Sequence, residues 1–325
     1  MNLQNTKKCE SQNNDKTISP FVKPFPENFL TFHVKLATMN LSKQRNEDII
    51  LNRKIVADSS SDLHGLRTID FSVAPMMIHT TKKAYLDNPD LNVDEMVEDL
   101  LKNKDKTSSA CPGLGDWLNA FGDAEEIFVL TITSKLSGTY NSACLARDEY
   151  LEQHPDRKVY VFDTLSTGPE MQLIAEKIEE LTEAGADFHT VCREIESYSK
   201  RTNLAFMLES LKNLANNGRV SHAVAKITGI LGIRLVGKAL EGVLEPLDKC
   251  RGAKKAIATL VARMKELGYN GGKVRIAHCQ NLEGARELAE LIETEFPGFS
   301  PEVYPTGGLC SYYAERGGIL MGFES

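Results

Sequence analysis

The sequence has no closely spaced cysteine pair and no hydrophobic run long enough to cross a membrane. Its seven cysteines are scattered over 325 residues without a C-x-x-C motif, which favours reduced thiols and gives no zinc signature. The longest apolar run, residues 227–233, is far too short for a bilayer span. The N-terminal residues lack the apolar segment of a secretory signal, so we expect a cytoplasmic protein.

An excess of basic residues is also absent. The formal net charge is −7, and the lysines and arginines are dispersed along the chain. This argues against nucleic acid or an anionic membrane surface as the main partner. It does not exclude a small anionic ligand, which needs only a local group of donors. The composition is that of a globular protein, and 325 residues are enough for two domains.

Motifs for nucleotide binding and for serine hydrolases are missing as well. The sequence contains no Walker loop, no G-x-G-x-x-G fingerprint and no G-x-S-x-G elbow. Asp58 and Asp163 have the chemistry to hold magnesium, but aspartates at such positions more commonly cap turns. We therefore expect no cofactor and no metal.

Residues 133–140, Thr-Ser-Lys-Leu-Ser-Gly-Thr-Tyr, are the most informative stretch that is present. They connect an apolar strand pattern at 126–132 to a helical pattern at 141–146. The first N–H groups of a helix have no intrahelical partner and carry partial positive charge, so such a turn can bind an anion. The hydroxyls of Ser134 and Ser137 add donors. An ordinary helix N-cap is the alternative interpretation.

The same order of strand, Asp/Ser/Thr turn and helix recurs along the first half of the chain. Buried-strand patterns at 54–57 and 159–162 are followed by turns at 58–61 and 163–168. Alternating strands and helices predict a parallel sheet with right-handed crossovers. Ligands bind beyond the carboxyl ends of such strands, so these turns favour a binding site at that edge. A hydrolase or phosphotransferase acting on a small phosphorylated molecule there is an alternative function.

The rest of the pattern indicates a second α/β unit with more mixed strand directions. We expect residues 1–52 to be a loosely ordered N-terminal extension, 53–175 an N-terminal α/β domain and 176–325 a C-terminal α/β domain. Further strands are predicted at 71–78, 204–208, 232–236 and 274–277, a hairpin turn at 240–243, and helices at 94–101 (capped by Asn92), around 117–121, at 169–184, 253–267 and 283–295.

Several of these segments together resemble the DegV family of bacterial fatty-acid-binding proteins. The matching segments are residues 55–63, 107–112, 134–140, 161–164 and 211–221, within a resemblance that covers about residues 54–323. It implies a two-domain DegV-like α/β fold with a parallel-sheet N-terminal domain, helices on both of its faces, and a mixed-sheet C-terminal domain. It also implies that one long-chain fatty acid lies in an interdomain tunnel.

In such proteins a separate, ATP-using fatty acid kinase converts the presented carboxylate into an acyl phosphate for phospholipid synthesis. The resemblance thus implies a carrier that is not an enzyme, and we expect a monomer. It also implies which residues hold the head group. They are Ser109 (Ser108 if the register shifts by one) and Ser134, with Ser137 and Gly138 in the same turn.

Two further positions depend on the resemblance. Tyr313 stands where the family usually has a histidine, and a phenol can still donate one hydrogen bond. Arg219 is implied as a docking residue for the kinase or the phosphoryl group, although an Arg after a Gly turn is often a plain surface residue. The residues expected to line the tunnel are Ile227, Ile230, Leu231 and Leu235.

Overall fold

The computed structural model describes residues 52–228 and 232–325. The strands of this part are β1 (Arg53–Asp58), β2 (Asp70–Ala74), β3 (Met77–His79), β4 (Ala84–Leu86), β5 (Ser108–Ala110), β6 (Glu126–Thr131), β7 (Lys158–Asp163), β8 (Thr202–Leu208), β9 (Ile233–Leu240), β10 (Val243–Arg251), β11 (Val274–His278), β12 (Glu302–Pro305) and β13 (Ile319–Glu324). Its α-helices are α1 (Val93–Lys102), α2 (Leu114–Phe121), α3 (Thr139–Gln153), α4 (Pro169–Glu183), α5 (Phe188–Tyr198), α6 (Lys212–Asn216), α7 (His222–Thr228), α8 (Ala253–Glu266), α9 (Leu282–Glu295) and α10 (Gly308–Ala314).

The predicted parallel sheet is confirmed, with strand order β2-β1-β6-β7. Its strands are apolar on both sides because helices cover both faces. Ile55 and Ala57 of β1 pack in the cluster formed by α4 and α5. Val56, between them, packs on the opposite side in the cluster of α2 and α3.

The second sheet has six strands in the order β10-β9-β8-β13-β11-β12, and only the β11–β12 pair is parallel. Helices α8 and α9 cover one face, where Met207 and Met321 contribute to the core. The other face carries Leu204, Phe206 and Leu320, and it packs toward α10. The mixed sheet that the sequence predicts is therefore present.

One predicted strand is wrong as a single element. Residues 71–78 form two strands in different sheets, β2 in the parallel sheet and β3 in a small antiparallel sheet of order β4-β3-β5. The break falls at Pro75, whose missing N–H cannot donate to a strand ladder. The small sheet matters because β5, which the sequence pattern does not predict as a strand, carries Ser109 opposite Ile78.

Several local predictions are confirmed. Asn92 caps α1 by accepting a hydrogen bond from the Glu95 N–H at 3.1 Å, and β9 and β10 form the expected hairpin. The domain boundary after residue 175 stays a prediction, because α4, which contains it, packs against both β6 and β13.

Some expectations lie outside the described residues, namely those for residues 1–51, for Ile230 and Leu231, and for the side chain of Ile227. Within the described ranges, every helix is too short or too polar to cross a membrane.

Candidate ligand-binding site

A cavity with about 800 Å³ of empty space, part of it open to solvent, lies between the parallel and mixed sheets. The loops after β6 and β7 form one side, so the cavity lies at the sheet edge where the sequence predicts a site. Its wall includes Ile132, Thr133, Leu136, Ser137, Leu165 and Ser166 from these loops, Leu204, Phe206, Leu208, Ala239, Leu244 and Leu320 from the mixed sheet, and Leu309, Cys310, Tyr313 and Ala314 from α10.

Most of the wall is apolar, and several of its polar side chains are bonded to other protein groups. These bonds run from Thr133 to the Gly242 carbonyl, from Ser166 to the Glu170 carboxylate, and from Thr167 and Cys310 to the Ser60 carbonyl. Because these donors are engaged within the protein, the wall offers little to a polar ligand and much to a hydrocarbon.

Polar groups converge in one part of this wall. The Ser109 Oγ and Tyr313 OH atoms lie 2.8 Å apart. The guanidinium carbon of Arg219 lies 5.8 Å from the centre of the Tyr313 ring, within cation–π range. Arg219 also donates from Nε to the Leu136 carbonyl at 3.1 Å. One fixed positive charge and two hydroxyls therefore face the same space, a combination suited to an anion.

Local structure fixes Arg219 at the end of α6. Gly218 adopts a φ of +74°, which glycine reaches without strain. The Arg219 N–H donates back to the Leu214 carbonyl at 2.8 Å, a typical helix C-terminal bond. The turn therefore directs the side chain of Arg219 along the cavity wall. The sequence pattern alone also allowed Arg219 to be a plain surface residue.

Tyr313 belongs to the last turn of α10 and is half-buried. Burial raises the pKa of Tyr313 above its ordinary value, although the hydrogen bond with Ser109 and the charge of Arg219 act in the opposite direction. The phenol is therefore protonated at neutral pH and can donate a hydrogen bond to a ligand.

The predicted head-group residues do not all lie in the wall. Ser137 does, and its Oγ lies 2.7 Å from Thr139 Oγ1 at the start of α3. Ser134 is outside the wall, with its N–H donating to Asp163 Oδ1 at 3.1 Å. Ser108 and Gly138 are exposed and also lie outside it. Their roles stay predictions.

The tunnel residues that the sequence singled out are only partly described. Leu235 is buried in the cluster around Phe206 but does not contribute to the cavity wall. The hairpin supplies wall residues that the sequence pattern did not identify, Val243 and Leu244 among them. Gly242 at its tip approaches the β6 loop so closely that a Cβ there would lie 2.4 Å from Thr133 Oγ1. This contact joins distant segments, so no local sequence signal reveals it.

The two aspartates considered as magnesium ligands act as caps. Asp58 accepts hydrogen bonds from the N–H groups of Ser60 and Ile132, and burial raises its pKa to about 6. Asp163 accepts from the N–H groups of Ser134 and Leu165. Across residues 52–228 and 232–325, no group of three or more His, Cys, Asp or Glu side chains could hold a metal ion.

Comparisons with known proteins agree with this architecture. The family model described as "Uncharacterised protein, DegV family" matches residues 52–323. A DegV domain-containing protein of Streptococcus pneumoniae is 41% identical over 276 residues, which cover 83% of this chain and 98% of that protein.

Two solved structures are similar over 84% of this chain and 99% of their own. One is a DegV family protein from Eubacterium eligens loaded with heptadecanoic acid, with a TM-score of 0.83 and 45% identity. The other is the Streptococcus pneumoniae Fatty Acid Kinase (Fak) B3 protein loaded with linoleic acid, with a TM-score of 0.82 and 41% identity. By sequence and by fold, the chain belongs to the DegV family.

Proposed function

We propose that this protein holds one long-chain fatty acid in the cavity, with the carboxylate beside Ser109, Tyr313 and Arg219. The observation that carries the proposal is the combination of a mostly apolar wall with a convergence of hydroxyl and guanidinium groups at Ser109, Tyr313 and Arg219. The fatty acids in the two similar solved structures support it.

The head group and the hydrocarbon chain would contribute differently to binding. Hydrogen bonds to an ionised carboxylate are among the stronger kind. Each buried methylene contributes roughly 0.8 kcal/mol, so a dozen methylenes would supply on the order of 10 kcal/mol before the cost of association. The chain therefore dominates affinity, while the polar groups set its orientation. Ser137, and Ser134 and Gly138 in the same turn, are proposed to complete the carboxylate site.

We further propose that the protein is a carrier that presents this carboxylate to a separate, ATP-dependent fatty acid kinase. The name of the pneumococcal relative, a fatty acid kinase B3 protein, supports this role. Arg219 lies in the cavity wall and is partly exposed, so it can contact both the head group and a docked kinase. In this proposal the carrier acts as a cytoplasmic monomer, and the acyl phosphate forms on the kinase side.

The experiment that tests the carrier role measures acyl phosphate. The protein, linoleic acid, ATP and Mg²⁺ are incubated with and without a bacterial fatty acid kinase, and the acyl phosphate is trapped as its hydroxamate. We expect product only when the kinase is present. Product without the kinase would favour the alternative function, a phosphotransferase acting at the same site.

A further inference from the structure

The short helix α10 is attached to the small β4-β3-β5 sheet at both of its ends. At its start, the Asp87 carboxylate accepts hydrogen bonds from the Gly308 N–H and the Leu309 N–H, both at 2.8 Å. At its end, the Tyr313 hydroxyl lies 2.8 Å from Ser109 Oγ. Asp87 directly follows β4, and Ser109 belongs to β5. One sheet therefore holds both ends of the helix.

The sheet itself fixes where Asp87 lies relative to Ser109. The central strand β3 pairs with β4 on one side and with β5 on the other. The Asp87 N–H extends this ladder by donating to the Met76 carbonyl at 2.8 Å. The backbone positions of Asp87 and Ser109 are thus defined by the register of three strands.

Asp87 and the start of α10 are closely packed against each other. Asp87 is buried, and a Cβ on Gly308 would lie 2.5 Å from its Oδ1. Asp62 accepts a hydrogen bond from the preceding N–H, that of Gly307, at 2.9 Å. Two carboxylates therefore bind three consecutive N–H groups, and any displacement of the helix start breaks several bonds.

We propose that Asp87 is a positioning residue of the carboxylate site. It does not line the cavity, and it acts by fixing α10 against the small sheet, which sets the separation of the Tyr313 and Ser109 hydroxyls. The assignment rests on the proposed function, because it gives Asp87 a role in recognising the carboxylate in addition to one in folding.

The test compares linoleic acid with its methyl ester, which has the same chain without the negative charge. We expect Asp87→Asn to weaken binding of the acid about tenfold, the size expected when a hydrogen bond to a charged group is lost, and to leave binding of the ester unchanged. Combining Asp87→Asn with Tyr313→Phe should weaken acid binding no further than Tyr313→Phe alone.

Glu179→Gln is the matched control. Glu179 is also buried and also accepts from two consecutive backbone N–H groups, those of Arg67 and Thr68. Like Asp87 it does not line the cavity, but its bonds go to the segment before β2 and not to α10, so this variant should leave the preference for the acid over the ester intact. If Asp87→Asn does not fold, Gly308→Ala perturbs the same contact from the helix side and should give the same loss.

Equal losses for acid and ester, or additive losses in the double variant, would overturn the positioning role while leaving the proposed function standing. A wild-type protein that binds neither ligand would overturn both.

Discussion

The hydroxyls of Ser109 and Tyr313 lie 2.8 Å apart although 204 positions separate the two residues in the chain. The pair joins the small sheet to the last turn of α10 at the cavity wall, and Arg219 lies against the Tyr313 ring. The proposed carboxylate site is therefore assembled from three distant segments.

The Ser109–Tyr313 pair gives the first prediction. Tyr313→Phe and Ser109→Ala should each weaken linoleic acid binding about tenfold, because each removes a hydroxyl that is proposed to bond to the carboxylate. Their effects should not add, since each hydroxyl also orients the other. Isothermal titration with the single and double variants measures this. Fully additive losses would show that the two hydroxyls act independently.

Blocking the cavity is a second prediction. Ala239 lies in the wall on β9, so Ala239→Phe should fill the space that the acyl chain needs and reduce fatty acid content after purification to a small fraction of the wild-type value. Ala184→Phe, at an exposed position, is the control for adding a ring. Wild-type fatty acid content in a folded Ala239→Phe variant would place the chain elsewhere.

The tip of the hairpin gives a third prediction. Gly242 has a φ of +83° and lacks room for a Cβ beside Thr133, whereas Gly185 has a φ of +80° with nothing within 4 Å of that position. Gly185→Ala should lower the free energy of unfolding by about 1 kcal/mol through backbone strain alone.

Gly242→Ala should lower the free energy of unfolding by about 2–4 kcal/mol, since steric overlap adds to the strain, and it should also reduce fatty acid retention. Urea unfolding measures both variants. Equal losses of stability in Gly242→Ala and Gly185→Ala would mean that the hairpin shifts to accommodate the added methyl group.

Glu170 predicts a pH dependence of stability. Its buried carboxylate accepts hydrogen bonds from Ser166 and from Thr202 Oγ1, and burial raises its pKa from 4.5 to about 7. The folded state therefore holds this proton more tightly than the unfolded state. The resulting stabilisation is complete below pH 4.5 and is lost as the pH rises through about 7.

A shift of that size corresponds to on the order of 3 kcal/mol. Glu170→Gln, which cannot ionise, should therefore lose less stability than the wild type between about pH 5 and pH 8. Urea unfolding across that range measures the difference. Parallel stability curves for the two proteins would contradict the shifted pKa of Glu170.

The alternating pattern of the sequence was enough to predict both sheets, because buried strands such as β1 and β6 are marked by their own apolar residues. The residues of the candidate site were harder to predict from the sequence. Arg219 and Tyr313 could be named only through the family resemblance, and the wall residues of the hairpin, such as Leu244, had no local signal. Asp87 was missed because a lone aspartate after a short strand is indistinguishable from a turn residue until α10 packs against it.

The prediction of one strand at residues 71–78 was wrong because a largely apolar pattern there covers two strands that pair in different sheets. Residues 71–78 are apolar except for Ser72, yet Pro75 separates a strand of the parallel sheet from one of the small sheet. The small sheet has three-residue strands, too short for periodicity to mark them. β4 follows β3 closely in the chain, whereas β5 reaches β3 from a more distant segment.

The most direct test of the central claim is native mass spectrometry of the purified protein, followed by organic extraction and identification of any released lipid. We expect one bound long-chain fatty acid per chain, released on extraction and replaced by added linoleic acid. A protein that is purified empty and does not take up added linoleic acid would contradict it.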